Sequence, residues 1–132
     1  MAKVKLAKQL LVVTGNKVGM LAEVSSTVSG AGINIQAINA YAAGEQANFR
    51  LITDNNQKAE DILNSQGYQV SEQEVVIAEL PNKVGVLKTT ADKLKMAGID
   101  LEYIYGTTCS GGCDCLLVFA SNNNAQAKKI LG

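Results

Sequence analysis

The segment Asn16-Lys17-Val18-Gly19 recurs letter for letter as Asn82-Lys83-Val84-Gly85, an offset of 66 residues in a chain of 132. At that offset nine of the 24 positions from Asn16 to Asn39 are identical, including Leu21/Leu87, Ala31/Ala97, Gly32/Gly98, Ile33/Ile99 and Ile38/Ile104. Self-similarity at a constant period marks a duplication. It implies two similar units of about 60 residues, each too small to be comfortably stable alone, so a shared core is expected. The quartet sits where extended sequence gives way to a helical pattern. There a short polar residue can cap free helix amides, a glycine permits close approach, and uncapped N–H groups suit an anion.

Read in order, the even positions Val4, Leu6, Leu10 and Val12 predict a strand over 4–14. Val18, Leu21, Val24, Val28 and Ala31 recur at helical spacing, and Gly32 closes that helix. Residues 34–41 and 47–53 read as a hairpin around Ala43-Gly44-Glu45. Asp54-Asn55-Asn56 opens a second helix carrying Ala59, Ile62 and Leu63, which ends at Gly67. A second long extended run, 68–80, stops at Pro81 and the cycle restarts. Val84, Leu87, Ala91, Leu94 and Ala97 form the next helical stripe. Residues 100–108 and 113–120 form the next hairpin, around Ser110-Gly111-Gly112. Asn122-Asn123-Asn124 precedes a last helix with Ala127, Ile130 and Leu131, and the second copy then lacks a final strand of its own.

That deficit fixes the expected architecture. The fold class is α+β: two ferredoxin-like βαββαβ units in tandem, sharing long central strands in one antiparallel sheet with helices on one face. The first unit is 1–67 and the second 68–132. Strand 68–80 is shared, with Tyr68 to Gln73 serving the first unit and Glu74 to Leu80 the second, and residues 2–7 complete the second. Because the offset is even, Val4, Leu6, Leu10, Val12, Val70, Val76, Ala78 and Leu80 share one face. The opposite parity carries Leu11, Val13, Val75, Ile77, Leu116 and Val118, more apolar surface than one antiparallel sheet normally shows to water. A second copy of the chain is the expected cover, giving a homodimer.

Composition narrows the function. Lys plus Arg and Asp plus Glu balance at 12 each, so no electrostatic footprint exists for a nucleic acid or an acidic membrane surface. No run is long and apolar enough for a membrane span or a secretion signal, and a cytoplasmic setting is the expectation. With no His, the commonest general base and metal ligand is missing. No catalytic residue, cofactor or metal is therefore expected.

The strand, the run Asn-Lys-Val-Gly-Met-Leu, the amphipathic helix and the Gly-Ile-Asn-Ile turn at Gly32–Ile35 together resemble the ACT domain, a regulatory module. Gly98-Ile99-Asp100-Leu101 repeats that turn. The family's usual Pro-Gly-Leu is here Val18-Gly19-Met20 and Val84-Gly85-Val86. The resemblance implies a non-enzymatic protein that binds a small ligand, most often an amino acid, between paired domains and signals to an enzyme or regulator. Carried residue by residue, its site is Asn16, Lys17, Val18, Gly19 and Met20 with Asn34 and Ile35. In the second copy it is Asn82, Lys83, Val84, Gly85 and Val86 with Asp100 and Leu101. The chemistry suits this, because an amino acid needs N–H donors for its carboxylate and an acceptor, such as Asn34 or Asp100, for its ammonium. Asn34 becoming Asp100 makes two inequivalent sites.

Two other readings compete. One is a protein-interaction module with no small ligand. The other uses Cys109, Cys113 and Cys115 for metal or redox chemistry, but structural zinc usually wants four donors and one chain supplies three cysteines. Cys113 and Cys115 fall at core parity beside Leu117 and Phe119, so packing, with reduced thiols, is expected. An RNA-recognition module would show aromatics and cations on the open face, where this chain is aliphatic apart from Arg50.

Overall fold

The computed structural model describes residues 3–132. Two long alternating segments form β1 (Lys3–Gly15) and β4 (Gln69–Leu80). Between them lie α1 (Met20–Gly30), β2 (Ile35–Ala43), β3 (Gln46–Thr53) and α2 (Asn56–Ser65). After them come α3 (Val86–Met96), β5 (Leu101–Thr107), β6 (Cys115–Ser121) and α4 (Asn124–Leu131). The strands form one antiparallel sheet, hydrogen-bonded in the order β2-β3-β1-β4-β6-β5. Lys8–Gln73 make one compact unit, and Glu74–Gly132 with residues 3–7 make the other. Both long strands thus pass from one unit to the other. Position 2 of the expected 2–7 segment lies outside the described residues.

In the unit Lys8–Gln73, α1 and α2 cover one face of the strands. Leu10, Val12, Phe49 and Leu51 meet Met20, Val24 and Val28 of α1 and Ala59 and Leu63 of α2. Leu10, Val24, Val28, Leu51 and Leu63 are fully buried, each contributing on the order of 1.5–3 kcal/mol of transfer free energy. In the other unit Val76, Phe119, Leu94, Ala127 and Leu131 form the equivalent cluster, and Ala78, Leu80, Cys115 and Leu117 form a second. Val4 packs against both, which ties the start of β1 into the core of the distant copy.

A duplicated asparagine pair marks the places where the long strands change units. Asn55 Oδ1 caps α2 by accepting from Lys58 N–H at 3.1 Å. The next residue, Asn56, accepts from Thr53 N–H at 3.1 Å and Thr53 Oγ1 at 2.7 Å, and donates through Nδ2 to the Lys8 carbonyl at 2.9 Å. In the second copy Asn123 caps α4, while Asn124 accepts from Ser121 N–H and Oγ and donates to the Glu74 carbonyl at 3.2 Å. Lys8 and Glu74 are the first residues after each change of unit. The junction runs from the buried Thr53 and Ser121 out to the carbonyls of the exposed Lys8 and Glu74, and the half-buried Asn56 and Asn124 pair with both sides of it.

The helical stripes differ from expectation. Val18, Leu21, Val84 and Leu87 are exposed, as are Ala91 and Ala97, and the buried positions are Met20, Val24 and Val28 in α1 and Thr90 and Leu94 in α3. The reason is backbone geometry. Gly19 and Gly85 are N-caps in the left-handed region, with φ of 90° and 84°, so each helix starts two residues after Val18 or Val84 and presents an i, i+4, i+8 face. Leu6, expected on the covered face, is also exposed. On the opposite face Val75, Ile77 and Val118 are buried and Leu11, Val13 and Leu116 half-buried, so that face is less open than its composition implies. Val118 shows the cause: it sits in register with Tyr105 on one side and Ile77 on the other, and is flanked by large side chains. Each edge strand also shifts register, at Ile35/Ala37 and Leu101/Tyr103, the bulges that protect sheet edges.

Candidate functional site

Antiparallel register decides what surrounds the repeated quartet. Gly15, the last residue of β1, pairs with Gln46, which also pairs with Ala43 at the end of β2. Asn16–Gly19 therefore leave the sheet beside the β2–β3 turn. Two bonds fasten them there: Asn16 N–H donates to the Glu45 carbonyl at 2.9 Å and Asn16 Nδ2 to the Gly44 carbonyl at 3.2 Å. Asn16 is thus a turn latch, where a helix cap was expected. With glycine at the N-cap, no side chain caps α1 or α3. The outward amides of each first turn are left for solvent or a ligand, at the positive end of the helix dipole.

A cleft of about 280 Å³ opens at this loop, lined by Asn16, Lys17, Gly19, Met20 and Leu21 on one side and Ala40, Tyr41, Ala42, Ala47 and Phe49 on the other. That is just under the roughly 300–1,000 Å³ of drug-sized sites, so it suits a ligand of few heavy atoms. Tyr41 is half exposed and its ring lies 5.5 Å from the Arg50 guanidinium carbon. Larger clefts, of about 530 Å³ beside Val13–Gly15 and Gly67–Gln69 and about 480 Å³ beside Glu23 and Tyr68, lie on the same unit but contain none of the repeated quartet. The strand residues of the smaller cleft are absent from the site read in the sequence. The hairpin's return to the end of β1 is the signal that would have found them.

The two loops differ in charge. Lys17 Nζ lies 3.4 Å from Glu23 Oε1, and Glu23 Oε2 accepts from the Tyr68 hydroxyl at 3.2 Å. Partial burial, then the hydrogen bond and the charge of Glu23, raise the Tyr68 phenol above its usual pKa. Thr89 replaces Glu23 in the second copy, and among the described residues Lys83 has no ion-pair partner. The second loop is the more positive.

The identities between the copies fall mostly outside the core. Val18/Val84 and Leu21/Leu87 are exposed in both units and so are Ile38/Ile104, whereas the helix positions that fill the cores have changed: Met20 to Val86, Val24 to Thr90, Val28 to Leu94. Backbone conformation accounts for the glycines, because an L-residue at such φ costs about 1–2 kcal/mol. Packing accounts for Ile33. Neither accounts for Lys17/Lys83, Val18/Val84 or Leu21/Leu87.

A family profile for the ACT domain pair matches residues 5–131. The chain belongs to that family. Among solved structures, protein BT0572 from Bacteroides thetaiotaomicron matches this ACT domain pair with a TM-score of 0.89 at 26% identity, over 97% of this chain and 88% of that one. The regulatory subunit of aspartate kinase from Thermus thermophilus, in a ligand-free form, gives 0.65 at 16% identity, over 97% and 93%. The aspartokinase alpha and beta subunits give 0.66 at 16%, also over 97% and 93%. At that identity the last two show the fold alone. No curated protein matches the chain. ACT domain pairs are typically regulatory and ligand-binding.

The ACT domain pair does not gather all the expected site residues at one place. Asn16, Lys17, Gly19 and Met20 line the cleft and Val18 stands beside it, but Ile35 pairs with Thr53 at the opposite end of β2 from Ala43, about 26 Å along the strand. Asn34 is fixed there by reciprocal bonds, its N–H to Asp54 Oδ1 and its carbonyl from Asp54 N–H. In the second copy Asn82–Val86 follow Leu80, which pairs with Cys115, whereas Asp100 and Leu101 lie at the other end, with Leu101 opposite Ser121. Asp100 N–H donates to Asn122 Oδ1. Within one unit the backbone of Asn34 and Asp100 holds the turn out of the helix, and neither these two residues nor Ile35 and Leu101 line the cleft. The cysteines also depart from expectation. Cys115 is buried, but Cys113 lies in an exposed hairpin tip and is joined to Cys109 by a disulfide, because the long tip brings the two Cα atoms to 5.7 Å. Among the described residues no group of three His, Cys, Asp or Glu is placed to hold a metal ion, and no helix is long and apolar enough to cross a membrane.

Proposed function

We propose that this ACT domain pair is a non-catalytic regulatory protein that binds an amino acid at the Asn16–Met20 and Asn82–Val86 loops and passes its occupancy to an enzyme or regulator. The observation that carries the reading is the retention of exposed Lys, Val and Leu at both loops while the cores beneath them diverged. Uncapped amides would receive the carboxylate, Leu21 and Tyr41 would shelter the aliphatic part, and the fully exposed Val18 beside the cleft is free to close over it. Asn34, Ile35, Asp100 and Leu101 enter this reading only through a second copy, whose strand ends would close over the loops in a twofold dimer. The same exposed Val18 and Leu21 favour the second reading, a protein-docking surface without a small ligand.

A thermal-shift panel of the twenty amino acids separates the two. Ligand at one hundred times its dissociation constant adds about 2.7 kcal/mol to the folded state. Val18→Asp and Val84→Asp are the informative variants, since both side chains are fully exposed and neither change should disturb the unliganded fold. Gly19→Val is a poor probe: its Cβ would meet nothing within 4 Å, yet φ of 90° strains any branched residue. If no amino acid shifts the wild-type transition, the small-ligand reading fails and the docking surface replaces it.

A further inference from the structure

The two hairpins are built alike except at their tips. The β2–β3 turn is short, Gly44-Glu45, and is latched by Asn16. The β5–β6 tip runs from Thr108 to Asp114, and among the described residues no corresponding bond ties Asn82 to it. In place of a latch it carries Cys109 and Cys113, both exposed, with Cα atoms 5.7 Å apart. That separation lies inside the roughly 4.4–6.8 Å range a disulfide requires.

We propose that Cys109 and Cys113 are a reversible thiol–disulfide couple, a redox modification site open to low-molecular-weight thiols and disulfides. A structural staple would close a long loop or tie elements that nothing else holds. This bond spans four residues at a tip whose strands are already paired from Thr107/Leu116 inward. Exposure gives exchange partners access to sulfur, the condition for a labile disulfide. The third cysteine, Cys115, is buried in the apolar cluster with Leu80 and Leu117, so it stays out of the exchange.

In the disulfide, Cys113 N–H donates to Cys109 Sγ at 3.1 Å. Kept after reduction, the same N–H would steady negative charge on that sulfur, so in the proposed couple the attacking thiolate is Cys109. It attacks one sulfur of a small disulfide, forms a mixed disulfide and expels one thiolate. The Cys113 thiolate then attacks Cys109 Sγ, forms the intramolecular bond and expels the second thiolate. Two electrons and two protons leave the protein dithiol, and the small disulfide becomes two thiols. Excess small thiol reverses both steps.

The test equilibrates the full chain with mixtures of reduced and oxidised glutathione, quenches with a maleimide and reads the intact mass. The expected result is that two labels appear or vanish together as the mixture changes, with Cys115 unlabelled while the protein is folded. Cys113→Ser should accumulate a single glutathione adduct on Cys109, and Cys115→Ala should leave the wild-type titration unchanged. Two labels persisting in oxidised glutathione alone, a disulfide surviving excess reduced glutathione, or stable single adducts on the wild type would each overturn the proposal.

Discussion

Asn56→Ala removes the side chain that joins three pieces of the unit Lys8–Gln73. Its Oδ1 takes two bonds from Thr53, a buried residue at the end of β3, and its Nδ2 gives one to the Lys8 carbonyl. A net hydrogen bond is worth about 0.5–1.5 kcal/mol, and a buried donor left unmatched costs roughly 1–3 kcal/mol. Thr53 N–H would be left in that state, so the expected loss is about 2–4 kcal/mol. Asn55→Ala is the internal control. It deletes one N-cap bond, to Lys58 N–H, and should cost about 1 kcal/mol. In urea unfolding with a slope of about 1–3 kcal/mol/M, Asn56→Ala should lower the midpoint by about 1–2 M without changing the slope, clearly more than Asn55→Ala. Asn124→Ala should repeat the result in the other unit, because its bonds to Ser121 and Glu74 match in kind. If Asn56→Ala costs no more than Asn55→Ala, the junction is not what anchors β1 where it changes units.

Val4→Ala should destabilise the unit Glu74–Gly132 by about 1–2 kcal/mol, and hydrogen exchange should quicken at Val76 and Phe119, the core that Val4 packs against. Unchanged protection there would break the assignment of the β1 start to that unit. Tyr68 contributes an alkaline pH dependence: its phenol is raised in the folded state, so its contribution is complete below the unfolded pKa of about 10 and is lost above it, as pH rises through the higher folded value. Tyr68→Phe should flatten that alkaline decline in urea midpoints, and an identical decline in the variant would remove Glu23 and partial burial as its cause.

Long periodic segments are legible in the sequence itself. The duplication, both shared strands and the strand order followed from one deficit, the missing last strand, combined with even parity. What the pattern misread lies where a single backbone angle outweighs periodicity. Val18 and Leu21 fit a helical stripe on paper, but Gly19 in the left-handed region delays the helix until Met20, and both side chains turn outward. Cys113 fits core parity only if β6 starts early. The long tip postpones the strand to Cys115. The cleft was half legible: its loop is a local motif, whereas Tyr41 and Phe49 reach it through cross-strand register, which no window of adjacent residues encodes.

Divergence between the copies bears on how two loops of the same sequence would act. With Glu23 present, the Lys17 ammonium is already compensated, and a ligand carboxylate at the first loop would meet a competing negative charge. With Thr89 in its place, Lys83 and the α3 N-terminus point the same sign at the second loop. On the proposed function, the second loop therefore holds the carboxylate more strongly and the first leans more on the apolar wall of Tyr41 and Phe49. A duplicated module whose loops share four letters need not bind equally at both. The residue one turn into the helix sets the difference.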